Sequence, residues 1–233
     1  MPKALRFRFS RGPELKYIAH LDMLRLFERA IKRAGLPVAY TQGFNPRQKL
    51  VFGLPIAVGL TSSSEYADIE FDQDISTDDY IQGLNAHLPE GVRVMEATAF
   101  SGKDNIMNQV ASAKYELSFT TEDELSHFAL ENMVRDFLAK EEIMVMKKSK
   151  KGLKPVNIRP LIYSLTVRKA EKKSCILDAF LSAGAENNLR PDLLMEAFQK
   201  ETGMTIRVDA MHRTALFASL MNEWKNPLEV ANG

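Results

Sequence analysis

Two groups of side chains in this sequence have the types and spacing to do chemistry. His20 and Asp22 stand two positions apart at the start of a basic helical stretch, an imidazole and a carboxylate of the kind that exchange protons in general acid–base catalysis. At i,i+2 across a helix start the two side chains need not meet, so a structural or RNA-contacting histidine is the competing reading. The second group is cationic. Arg25, Arg29, Lys32 and Arg33 fall at helical offsets 0, 4, 7 and 8 and share one side of a helix. Guanidinium groups suit bidentate phosphate contact and lysines act as point charges, so a mixed stripe fits backbone binding better than base reading. Arg6, Arg8, Arg11 and Lys16 before it, and Arg47 and Lys49 after it, extend the stripe. The alternative is a solvated face in which Glu28 pairs with Lys32 at i,i+4.

A second basic block begins at Lys147, Lys148, Lys150 and Lys151, a lysine-rich tip with Gly152, and continues through Lys154, Arg159, Arg168, Lys169, Lys172 and Lys173. It reads either as a solubilising hairpin tip or as an arm along a polyanion. The formal net charge of +1 hides this segregation. Residues 1–49 carry a net +8 and residues 147–173 a net +9, while residues 50–108 carry −8, 109–146 carry −5 and 174–233 carry −3. Local charge, not the average, is the quantity that bears on partners. If both blocks contact one RNA and about 6–10 phosphates are neutralised, affinity falls by about 10³–10⁵ between 50 and 200 mM salt.

Other chemistries lack their residues. His87, His127 and His212 are scattered without metal-ligand spacing, and Cys175 is the single cysteine, which excludes an intrachain disulfide and any cysteine-built cluster from this chain alone. Cys175 reads as a small buried hydrophobe in a strand. No phosphate-binding glycine loop, dinucleotide fingerprint or Gly-x-Ser-x-Gly elbow is present, and no cofactor is expected. No apolar run approaches the roughly 18–20 residues that span a bilayer, and arginines interrupt the amino-terminal apolar residues. A cytoplasmic protein without membrane insertion is expected. Phe7, Phe9, Phe44 and Phe52 are either base-stacking rings or, where they alternate in strands, core residues.

The elements that must position these groups follow from periodicity. Leu5, Phe7 and Phe9 alternate with Arg6, Arg8 and Ser10, a strand with one buried and one solvated face. Leu21, Leu24, Phe27 or Ala30, and Ile31 recur at helical spacing up to the stop at Gly35-Leu36-Pro37. A short strand at 38–40, a turn at 43–46, extended segments at 49–52 and 56–58, and a half-buried strand around Tyr66-Ala67-Asp68-Ile69 follow. A helix from Thr77 to Leu88, capped by Ser76 or Thr77, and a strand at 92–97 complete a β-α-β-β-α-β order. Phe100 to Ala113 reads as a linker. The order then recurs: a strand at 115–119, a helix at 122–140, strands at 143–146, 161–167 and 175–181, a helix from Pro191 and a last strand at 205–218. The expected fold is α+β, two tandem ferredoxin-like (β-α-β-β-α-β) units, one at 1–104 and one at 113–220.

At these residues the sequence resembles a bacterial family of unknown function, the radical-SAM-linked (radical-SAM-associated) domain. The segments that carry the resemblance are Ile18 to Arg25, Glu28 to Pro37, Gln42-Gly43-Phe44-Asn45-Pro46, Glu65 to Ile69, and Asn188 to Asp192. The resemblance implies an accessory role beside a radical-SAM enzyme. This chain lacks the Cys-x-x-x-Cys-x-x-Cys motif and so cannot itself hold the iron–sulfur centre. Where the family has His after Asn-Pro, Arg47-Gln48 stands here.

These readings lead to an expected RNA-binding accessory protein, with tRNA or rRNA as partner, acting beside a radical-SAM modifying enzyme. Two other classes remain open: an RNA-processing or RNA-modifying enzyme using His20 or Asp22, and a protein-interaction adaptor without RNA binding.

Overall fold

The alternating apolar residues of the first strand, β1 (Ala4–Arg11), are buried: Leu5, Phe7 and Phe9 all face the core. The structure is a computed structural model that describes residues 3–101, 104–149, 152–185, 187–221 and 223–231. It is an α+β fold with mostly antiparallel strands. It divides into two compact units, residues 1–112 with 213–233, and residues 113–212.

In the first unit, α1 (His20–Arg33), β2 (Leu50–Phe52), β3 (Leu60–Glu70), α2 (Thr77–Asn85) and β4 (Val92–Ala99) follow β1. β1 lies between β3 and β4, antiparallel to both, and β2 pairs antiparallel with β3. The register Leu5↔Ile69 and Phe7↔Ala67 puts the apolar residues of both strands on one face. Met23, Phe27, Ala30 and Ile31 of α1, with Tyr80 and Leu84 of α2, cover that face. Phe27 is the hub, its ring 4.9 Å from Phe9, 5.3 Å from Phe52 and 5.9 Å from Phe7. Phe7, Phe9 and Phe52 are therefore core rings.

The ends of both helices have local causes. Past α1, Gly35 adopts φ 64°, and the amides of Gly35 and Leu36 donate to the carbonyls of Lys32 and Ile31 at 3.2 and 3.3 Å. That pattern is the left-handed glycine stop, a conformation that a side chain would strain. At the start of α2, Ser76 Oγ accepts from the Asp79 amide at 3.0 Å. The buried stripe of α1 differs from its expected one: Leu21 is 63% exposed and Leu24 only partly buried, because Met23 takes the core-facing position on the first turn.

The solvated face expected for β1 is not solvated at Arg6, which is fully buried. Its Nε and Nη2 donate to the two carboxylate oxygens of its cross-strand neighbour Asp68 at 2.6 and 2.9 Å. Nη1 donates to Gln109 Oε1 at 2.5 Å and to the Pro227 carbonyl at 3.1 Å, and the guanidinium lies over the Phe100 ring. The expected linker thus packs on the sheet: α3 (Ile106–Gln109) brings buried Ile106, whose amide donates to Asp68 at 2.7 Å. Ser, Gly, Asn and Gln read as a linker by composition, yet here they hold the few apolar residues that seal this face.

In the second unit, β5 (Val110–Thr121), α4 (His127–Leu138), β6 (Met144–Ser149), β7 (Gly152–Asn157), β8 (Ile162–Glu171), β9 (Ser174–Ser182), α5 (Pro191–Thr202) and β10 (Ile206–Leu220) follow in order. β5 lies between β9 and β10, and β8 pairs with β9. β10 gives residues 206–212 to this unit and the rest to the first, where it pairs with β3 and with β11 (Glu223–Lys225). Phe137 of α4 meets Phe198 of α5 edge-on at 5.2 Å. Cys175 is buried in β9, and burial pushes its thiol pKa up, which suits a small hydrophobe rather than a nucleophile. β6 and β7 form a separate two-stranded ribbon.

Candidate nucleic-acid interface

A groove on the first unit runs between α1 and the loop that follows it. Tyr40 and Gln48 form a β-bridge, and the Thr41 amide donates to the Arg47 carbonyl at 2.8 Å while the Arg47 amide donates to Thr41 Oγ1 at 3.0 Å. These bonds make residues 40–48 a hairpin whose tip holds Gly43, at φ 125°, and a fully exposed Phe44. The Gln48 side-chain amide ties the hairpin to α1 by donating to the Glu28 carbonyl at 3.2 Å. Between helix and hairpin lies about 500 Å³ of space.

Four cations line it, Arg25, Arg29, Lys32 and Arg47, against one carboxylate, Glu28. Its apolar surface comes from Leu21, Leu24, Tyr40 and Pro46. The Glu28–Lys32 pair of the alternative, solvated-face reading is absent among the described residues. Among the described residues the side chains of Arg29, Lys32 and Arg47 have no hydrogen bond or ion pair. Arg25 contacts Asp22 at 3.1 Å, an exposed pair of the kind worth little.

The other cations of the first block are engaged elsewhere. Arg33 donates to the His87 carbonyl at 2.6 Å, Lys49 pairs with Glu70 at 2.6 Å, and Arg8 pairs with Glu96 at 2.6 Å. Arg6 and Arg11 are buried. Arg11 donates to the carbonyls of Leu15, Lys16 and Ile18, which staples the loop entering α1. In the strand period Arg11 shares the phase of Leu5, Phe7 and Phe9, the buried one, so alternation along β1 already points it inward.

In the second block, Lys147 donates to the Asn188 carbonyl at 3.2 Å. Lys148 pairs in register with Leu153, but its side chain, like Lys150 and Lys151 altogether, lies outside the described residues. Further along, Arg159 donates to the Leu138 carbonyl, Arg168 pairs with Asp178 and Glu116, and Lys169 pairs with Glu171. Much of this block's charge is neutralised within its own unit.

His20 and Asp22 do not form a dyad. Asp22 is exposed beside Arg25, whereas His20 is half-buried with its ring 5.7 Å from Phe52. Burial lowers the His20 pKa, and the Glu65 carboxylate opposes that shift. Glu65 is a residue that sequence reasoning passed over: it is buried and accepts from Arg213 Nη1 at 2.8 and 2.9 Å. Its only signal was a carboxylate on the apolar phase of β3, opposite Phe9.

A family model described as "Uncharacterized protein conserved in bacteria (DUF2344)" matches residues 4–191. The chain belongs to that family. Its description links it to bacteria, as the sequence resemblance did, and carries no radical-SAM association. No curated protein matches the chain. Among solved structures it is similar to one described as "Crystal Structure of a Cbf5-Nop10-Gar1 Complex", at 9% identity and a TM-score of 0.51, over 92% of this chain and 49% of that one. A second, "Structure of H/ACA RNP bound to a substrate RNA containing 2'-deoxyuridine", gives 10% identity and a TM-score of 0.49 over 91% and 47%. The chain spans about half the length of these matches, and at such identities the likeness is of fold alone. No helix among the described residues is long and apolar enough to cross a membrane.

Proposed function

We propose that this protein binds RNA through the groove between α1 and the 40–48 hairpin, with Arg25, Arg29, Lys32 and Arg47 taking phosphates. The observation that carries the reading is three cations, Arg29, Lys32 and Arg47, held over a groove with no side-chain partner among the described residues. Unpaired cations repel one another and gain from an outside polyanion, whereas a solubilising face would mix both signs. The α1 carbonyl that tethers Gln48 fixes hairpin to helix, so the cations are presented on a preset surface.

The scaffold reading goes with it. In the first unit the order β4-β1-β3 with β2 on β3, and in the second the order β10-β5-β9-β8, are each the strand order of a β-α-β-β-α-β unit, with the β6–β7 ribbon inserted before β8. We read these as two ferredoxin-like domains. Lys147 on that ribbon, with Lys148, Lys150 and Lys151 next to it in the sequence, is a secondary contact for the same polyanion. The role beside a radical-SAM enzyme rests on the sequence resemblance and is tested by co-purification of such an enzyme with the tagged protein; tRNA or rRNA is the RNA partner this reading assigns.

The direct test is RNA affinity against salt. Four phosphate contacts to a single strand give a log–log slope of about −3, so affinity falls about 50-fold between 50 and 200 mM salt. Replacing Arg25, Arg29 and Arg47 together by Ala is expected to abolish binding at moderate salt with the helical circular-dichroism signal kept. Unchanged affinity in that variant would sink the proposal.

A further inference from the structure

We infer that the occupant of this groove is an unpaired stretch of RNA, with a base stacked on Tyr40 and a neighbouring base on Phe44. The inference rests on the RNA reading above and adds the strandedness of the ligand and two recognition residues that cation placement alone does not assign.

The groove is not only basic. Along α1, Arg25 and Arg29 stand one turn apart, about 6 Å along the axis, and Lys32 continues the row. Facing that row, the Tyr40 ring is 45% exposed, and its hydroxyl lies 3.5 Å from the Gln48 amide that is itself tied to α1. The ring is thus anchored at its polar end while Leu21, 63% exposed, opens a second apolar surface across the groove. Phe44 at the hairpin tip packs against nothing: its side chain is fully in solvent. Phe7, Phe9 and Phe52 are core residues, whereas Phe44 makes no packing contact that would require an aromatic ring.

Charge complementarity selects a polyanion, and the apolar floor selects among polyanions. A duplex keeps its bases stacked inside and offers phosphates, sugar hydroxyls and the edges of a shallow groove. Docked here it would satisfy the cations but leave Tyr40, Leu21 and Phe44 against hydrated backbone. An unpaired strand brings phosphates to the cations and the faces of its bases to the rings, the combination that single-strand binders use. About 500 Å³ is also the scale of a site for a small group such as one or two nucleotides.

The test measures binding of a 12-nucleotide oligouridylate and of a 12-base-pair RNA duplex to the full chain by fluorescence anisotropy. The expected result is at least tenfold tighter binding of the single strand. Tyr40→Leu and Phe44→Ala should each weaken oligouridylate binding about five- to 150-fold without changing the salt slope. Tyr40→Phe, which keeps the ring, should restore it. Phe44→Ala removes no packing contact, so its effect does not pass through folding. Equal affinity for strand and duplex, or ring variants that bind like the parent while Arg29→Ala weakens both, overturns the stacking inference and leaves the RNA reading standing. Binding of neither probe, with Arg29→Ala and Arg47→Ala without effect, overturns both.

Discussion

Asp68 uses two oxygens to hold three donors, Arg6 Nε, Arg6 Nη2 and the Ile106 amide, in a place almost closed to water. Removing one partner of such a pair leaves the other charge buried and uncompensated. Asp68→Ala should therefore cost about 3–5 kcal/mol, read as a lowered urea midpoint, whereas Arg6→Met with Asp68→Leu together should cost far less. A midpoint for Asp68→Ala within error of the parent would show that the pair is replaceable by water. The sequence placed Arg6 correctly in phase with Arg8 and still misjudged it. The groups that close it off, Gln109 and Pro227, are 103 and 221 residues away, and no local period reports them. His20 offers a second residue-scale test. Its folded pKa lies below the ordinary 6.5 because burial disfavours the imidazolium. As pH falls through about 6.5 the unfolded chain gains a proton that the folded chain refuses, so this share of stability is present above that pH and lost below it. His20→Gln should flatten the fall in midpoint between pH 7.5 and 5.5; an unaltered pH slope would exclude His20 as its source.

At the scale of elements, the helix that carries the groove was legible and its orientation was not. The stop at Gly35 and the offsets of Arg25, Arg29 and Lys32 were readable because both depend on neighbours within a turn or two. Leu21 and Leu24 fitted an apolar stripe equally well, and only packing against β1 and β2 shows that Met23 and Phe27 take the core while Leu21 is left to the groove. The hairpin was read as a short strand and a turn. Its ladder is a single bridge flanked by the Thr41–Arg47 and Lys49–Ala39 backbone bonds, too short to leave a period, so Tyr40 and Arg47 came together unannounced. Charge showed the same limit. Arg25, Arg29, Lys32, Arg33, Arg47 and Lys49 look alike in a count, but Lys49 meets Glu70 across β2–β3 and Arg33 reaches the end of α2. Tertiary pairing sorts available cations from spent ones, which is why the groove predicts a shallower salt dependence than two whole basic blocks would.

For the whole molecule, the decisive fact is that the chain returns to its first unit after leaving it. Residues 213–233 supply Arg213 to buried Glu65, the Pro227 carbonyl to Arg6, and Asn226 Oδ1 to the Tyr66 hydroxyl, and the second half of β10 pairs with β3. A chain ending at His212 would keep every residue of α1 and of the groove yet lose these partners. Stranding the Glu65 carboxylate alone costs about 3–5 kcal/mol, a large share of the about 5–15 kcal/mol by which a domain is stable. The β3 edge would also lose its strand partner and expose unpaired backbone. Such a truncated chain is expected to lose the cooperative urea transition of the first unit, and RNA binding with it, although no groove residue has changed. Glu65→Gln in the full chain separates the causes: it removes the charge but keeps a hydrogen-bonding side chain and the strand, so it should lower the midpoint while leaving the transition cooperative. A truncated chain that unfolds cooperatively at the parent's midpoint would mean that the first 112 residues fold unaided, and that the return strand is an attachment rather than part of the unit.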